Sequence, residues 1–128
     1  MPPKRADPRL GQEAARVVLA ALEAGEPPPA SELRAAVRYL LDLLAQVAPG
    51  RSVEVRVPPY AAIQCVEGPR HTRGTPPNVV ETDPVTWVEL ATGRLQWAVA
   101  AADGRIMASG IRADVSGYLP LLRPSEAH

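Results

Sequence analysis

Three cationic side chains crowd one short stretch, RHTRGTPP, in which Arg70, His71 and Arg73 have the chemistry to hold an anion and Gly74 lets backbone amides approach it. The competing reading is a solvated connection whose charges keep it wet, and the lack of apolar periodicity favours that one. Metal ligation needs a cluster of ligands at defined spacing, whereas the nitrogen and sulfur ligands of this chain are His71, His128 and Cys65, with His128 ending a tail. No metal site is expected. Cys65 lies in the apolar run AAIQCVE, where a thiol reads as a small packing residue and not as a nucleophile. Neither a nucleotide-binding glycine pattern nor a nucleophile elbow nor a carboxylate, histidine and serine order is present. The residues therefore predict no catalytic group and no cofactor.

Composition narrows the function classes further. The chain has 128 residues, enough for one domain that buries roughly two thirds of the surface its unfolded form exposes. Its 14 basic and 14 acidic side chains cancel, so no global basic field draws it to nucleic acid or anionic lipid. One cysteine cannot form an internal bridge, and MPPKRADPRL has charges and prolines but no apolar signal core. These features predict the cytoplasm. No apolar run approaches the eighteen or so residues of a membrane span, so stable membrane insertion is not expected.

The elements that must position these residues follow from hydrophobic period. Residues 1–9 hold three prolines and four charges and predict a flexible start; residues 10–122 predict one folded unit, and 123–128 a polar tail. Leu10, Ala14, Val17, Val18, Ala21 and Leu22 recur at helical spacing, and Gly25 with the Pro27-Pro28-Pro29 run ends that helix. Ser31 is positioned to cap a second helix with the apolar set Leu33, Val37, Leu40, Leu41, Leu44 and Val47. The period then changes to two. Val53, Val55 and Val57 alternate with Ser52, Glu54 and Arg56 as a half-buried strand, and AAIQCVE is its antiparallel neighbour. Arg70 to Pro77 predicts an exposed loop, Asn78 to Thr82 a strand, and Asp83-Pro84 the capped start of the helix VTWVELATG. LQWAVAAADG predicts a short helix, RIMASG a strand with Ile106 and Ala108 on one face, and Asp114 the cap of a last turn. Strands grouped together and then interrupted by helices give an α+β class.

The stretch HTRGTPPNVVETDPVTWVELATGRLQW, followed by GRIMASG and ADVSGYLPLL, resembles the actinobacterial sterol carrier family proteins. The order of an acidic turn into a helix, Gly93-Arg94-Leu95, a small-residue helix, Gly104-Arg105-Ile106, Ser109-Gly110 and a leucine-rich turn is similar to the sterol-carrier-protein type-2 fold. The resemblance covers about residues 50 to 122. It implies a mixed sheet covered on one side by helices, here with two N-terminal helices, and an apolar cavity between them for a fatty acyl or sterol-like ligand. With that cavity expected, the apolar faces of Val53, Val55, Val57 and Met107 become candidate ligand contacts, and Trp87 and Trp97 are either core or pocket wall.

The same fold resembles the C-terminal domain of mycothiol-dependent maleylpyruvate isomerases, whose separate helical bundle carries a histidine-bound metal. This sequence contains no such bundle and no histidine trio. The expected function is thus non-enzymatic binding or carriage of an apolar small molecule. The alternative is an accessory or interaction module beside a metal- and thiol-dependent enzyme encoded elsewhere. A homodimer is a further candidate partnership, and nucleic acid is not.

The missing ligand cluster generates a first prediction. Exhaustive dialysis against a chelator is expected to leave the melting temperature unchanged, whereas stoichiometric zinc or iron whose removal lowers Tm would contradict it.

Overall fold

The structure is a computed structural model that describes residues 7–68 and 78–123. The expected loop over Arg70 to Pro77, with Arg70, His71 and Arg73, lies outside the described residues. Two helices come first, α1 (Pro8–Glu23) and α2 (Ala30–Val47), followed by strands β1 (Val53–Val57), β2 (Ala61–Cys65) and β3 (Asn78–Thr82). Helices α3 (Pro84–Ala91) and α4 (Trp97–Ala102), strand β4 (Ile106–Ser109) and a 3-10 turn at Ser116–Tyr118 complete the order.

Both N-terminal helices depart from simple expectation at their starts. α1 begins two residues before Leu10, because Asp7 accepts the Arg9 amide at 2.9 Å and Pro8 occupies the first turn, where its missing N–H costs nothing. Its buried stripe is Gly11, Ala14, Ala15, Val18 and Leu19, one residue rotated from the apolar count, and Leu10 stays 68% exposed. Small residues on that stripe let α1 lie close to α2. Ser31 does not cap α2: the helix starts at Ala30 behind Pro29, and the Ser31 hydroxyl donates to Glu32 Oε2 at 2.6 Å instead. The proline run already fixes the approach direction, and the Leu33 amide reaches the Pro29 carbonyl at 2.9 Å.

The sheet is mixed, in the order β2-β1-β3-β4. β1 pairs antiparallel with β2 and parallel with β3, and β3 pairs antiparallel with β4. Registry sets which side chains share a face: Val53 opposes Cys65 and Asn78, Val55 opposes Ile63 and Val80, and Thr82 opposes Ile106. That face meets the helices. Leu40, Leu41 and Leu44 of α2 and all three β1 valines are inaccessible to solvent, and each contributes roughly 1.5–3 kcal/mol by burial before entropy is subtracted. The opposite face carries Glu54, Arg56, Gln64 and Glu81, all half-buried, with Glu54 and Arg56 paired. Ala108 shares the core-facing side of β4 with Ile106, yet only Ile106 is buried, since no helix reaches over the rest of the strand.

Polar clasps close the ends of the sheet. Asn78 is buried with both amide atoms used: Nδ2 donates to the Ser52 carbonyl at 2.8 Å, and Oδ1 accepts the Arg112 amide at 2.9 Å. Val66, just past β2, holds the left-handed φ of 63°, an outlier for a β-branched residue. Three hydrogen bonds fix it there. Its amide donates to Ala48 O at 2.7 Å, and its carbonyl accepts the Ser52 amide at 3.0 Å and the Ser52 hydroxyl at 2.6 Å. Gly50 is what permits this approach, because a Cβ there would stand 2.2 Å from the Val66 carbonyl carbon.

At α3 the expected cap is present. Asp83 accepts the Thr86 amide at 2.9 Å and the Thr86 hydroxyl at 2.7 Å, with Pro84 in the first turn. Asp114 likewise accepts the Ser116 amide at 2.8 Å before the terminal turn. Replacing Asp83 with Ala is expected to lower stability by about 0.5–2 kcal/mol in urea denaturation, the usual loss for a helix cap.

Candidate ligand-binding groove

α2 has one side pressed into the core and an adjacent side that parts from the sheet at its free edge. Along that second side Arg38, Leu41, Asp42, Ala45, Gln46 and Pro49 follow one another at three- and four-residue spacing. Across from them stand Ala61, Ala62 and Ile63 of the edge strand β2, and Asp7 and Pro8 close one end. Between them runs an open groove of about 1160 Å³. Its floor is apolar, from Leu43, Ala45 and Ile63 over the sealed Leu41, and its rim carries the exposed Arg38, Asp42 and Gln46.

Tyr39 forms part of the groove wall, and the local sequence explains how it is seated. Gly11 faces its ring so closely that a Cβ would fall 2.2 Å from Cγ. The ring therefore lies flat where α1 crosses α2. Gln12 Nε2 donates to the Tyr39 hydroxyl at 3.4 Å, tethering the polar end of the side chain. Asp7, at the groove end, has its carboxyl held below its ordinary value by the Arg9 amide first and the Arg9 guanidinium second.

The six apolar residues expected to contact ligand do not come together around one cavity. Val53, Val55, Val57 and Trp87 are sealed in the core, and Trp87 Nε1 donates to the Val37 carbonyl at 3.3 Å, which satisfies the indole without any ligand. Trp97 is half-buried beside a cavity of about 70 Å³ shared with Leu90, Leu95 and Leu119, room for roughly two waters and not for a lipid. Met107 is 68% exposed on the opposite face of the sheet. Residues that sequence reasoning missed are Tyr39, Leu43, Ile63 and the Arg38–Asp42 rim. The available signal was Gly11, a glycine inside a helical pattern, which marks a close approach.

The other polar cluster is a brace. Arg105 Nε donates to Thr86 Oγ1 at 3.0 Å and its Nη2 to Glu89 Oε1 at 2.7 Å, while Arg94 Nε reaches Glu89 Oε2 at 3.2 Å. Each group is occupied by another, so the cluster ties α3 to the turns flanking α4. Among the described residues no three His, Cys, Asp or Glu side chains lie close enough to hold a metal, and no helix is long and apolar enough to cross a membrane.

A family model described as bacterial SCP ortholog matches residues 29–121, well over half of the chain, from the start of α2 to the segment after the 3-10 turn. No curated protein matches the chain.

Cys65 lies on the core-facing side of β2 and is inaccessible, and burial pushes its thiol from 9.0 up to about 11. Two outcomes are expected. A thiol reagent at pH 8 labels the unfolded chain and spares the native one. Because the folded thiol holds its proton more tightly than the unfolded thiol, its contribution to stability is complete below pH 9 and is lost as pH rises through about 11. Chemical denaturation between pH 8 and 11 reads this directly.

Proposed function

The chain belongs to the sterol-carrier-protein-like family described as bacterial SCP orthologs, and from that premise we propose that it binds or carries an apolar small molecule, a lipid or sterol-like compound, without reacting with it. A fold alone does not assign function. The observation that carries the reading is the apolar-floored groove between α2 and β2, which is large enough for an extended acyl chain and opens directly to solvent.

The energetics favour exchange over storage. Full burial of a methylene gains roughly 0.8 kcal/mol, so a dozen would give about 10 kcal/mol against an association cost of about 4–15 kcal/mol. An open groove covers only part of that chain. The net is weak and readily reversible binding, as carriage between donor and acceptor surfaces requires. Arg38 and Asp42 at the rim serve a polar headgroup, whereas Tyr39, Leu43 and Ile63 contact the apolar body.

Titration with a fluorescent fatty acid is expected to give saturable binding. Ile63→Asp, which puts a charge on the groove floor, should weaken it at least about tenfold, since a buried unpaired charge costs more than 1.4 kcal/mol. Met107→Ala, on the opposite face, should leave it unchanged. An absence of saturable signal, or binding indifferent to Ile63→Asp in a folded protein, would sink the reading.

A further inference from the structure

Sheet edges are where a monomer normally places charge, proline or a covering element, because an open edge pairs with other strands. This sheet distributes its charges the other way. Glu54, Arg56 and Glu81 sit on the two central strands, whereas β4 reads Ile-Met-Ala-Ser and has none. Among the described residues nothing covers the outer edge of β4. Met107 is 68% exposed, Ala108 and Ser109 are exposed, and Ile111, just beyond the strand, is 100% exposed.

We propose that β4 is the contact strand of a homodimer, pairing antiparallel with β4 of a second copy so that two four-stranded sheets become one of eight strands. The occupant is a second copy because the edge is self-complementary. An antiparallel two-fold sets small or apolar residues against small or apolar residues along Ile-Met-Ala-Ser, with no like charges brought together. The nearest charge, Arg105, is already held by Glu89 and Thr86, and the whole chain has a formal charge of zero, so two copies meet without net repulsion.

Alternative packings fail on the same residues. Stacking the uncovered faces would bury Glu54, Arg56 and Glu81, at a desolvation cost that their pairing does not offset. Pairing through the other edge, β2, brings the second copy against the charged rim of the α2 groove. The contact is confined to a four-residue strand with the exposed Met107 and Ile111, small beside a stable interface, so the dimer is concentration-dependent. It leaves the groove free, and therefore stands or falls independently of ligand carriage.

Sedimentation velocity over a concentration series tests this. The wild type is expected to approach about twice the 13.6 kDa chain mass at high concentration. Met107→Lys and Ile111→Lys should each weaken dimerisation about tenfold or more with an unchanged circular dichroism spectrum, because both side chains are exposed in the single copy. Val47→Lys, another exposed apolar position, on α2, is the control and should leave the mass unchanged. If Met107→Lys disturbs folding, Ile111→Lys alone decides. A wild type that stays monomeric throughout, a dimer that survives both edge substitutions, or one dissolved equally by Val47→Lys overturns the proposal.

Discussion

The core shared by α2 and β1 is the constraint on which the other elements depend. Leu40, Leu41 and Leu44 share one core with Val53, Val55 and Val57, and none of the six keeps solvent-accessible surface. Everything else is placed relative to that contact. α1 covers the back of α2 through its small-residue stripe, and α3 is tied to it by the Trp87 indole donating to the Val37 carbonyl inside the core. That buried hydrogen bond fixes the depth of α3, since a displaced indole would leave its N–H unsatisfied at a cost of about 1–3 kcal/mol.

Sheets twist, so one helix cannot cover all four strands equally. Burial is complete on the core face of β1 and thins toward both edges. On the β2 side the shortfall is the groove, where Ile63 is half-buried although its registry neighbour Val55 is fully buried. On the β4 side it is the exposed strand, where Ala108 faces the helices in registry with buried Val80 and still meets solvent. The two features proposed to be functional are thus the two margins of one packing arrangement.

Much of this arrangement was legible in the sequence, for identifiable reasons. The two leading helices, the period change at Ser52, the valine alternation and Asp83-Pro84 report local rules that tertiary structure did not override, and the mixed sheet followed from the family resemblance. Helix faces were less accurate. Leu10 and Val47 belong to apolar periods but lie at helix ends, beyond the elements that bury the rest, and Val47 remains 57% exposed. The candidate contacts failed to converge for a related reason: alternation tells which valines share a face but not whether that face is a wall or a sealed core. Asn78, a buried residue bonded to Ser52 and Arg112, carries no pattern at all in one dimension.

Magnitudes decide where a ligand can sit. Admitting a lipid between α2 and β1 would expose Leu40, Leu44 and the three β1 valines, at roughly 1.5–3 kcal/mol each, or on the order of 10 kcal/mol together. A domain of this size has a total stability of about 5–15 kcal/mol, so opening the core would consume most of it before any binding energy returned. The groove beside β2 needs no such opening. Its apolar floor is already formed, with Tyr39 held by the fit of its ring against Gly11 and by the Gln12 contact. On the proposed reading, binding at the margin leaves folding and ligand exchange energetically separate in a small protein whose core is fully packed.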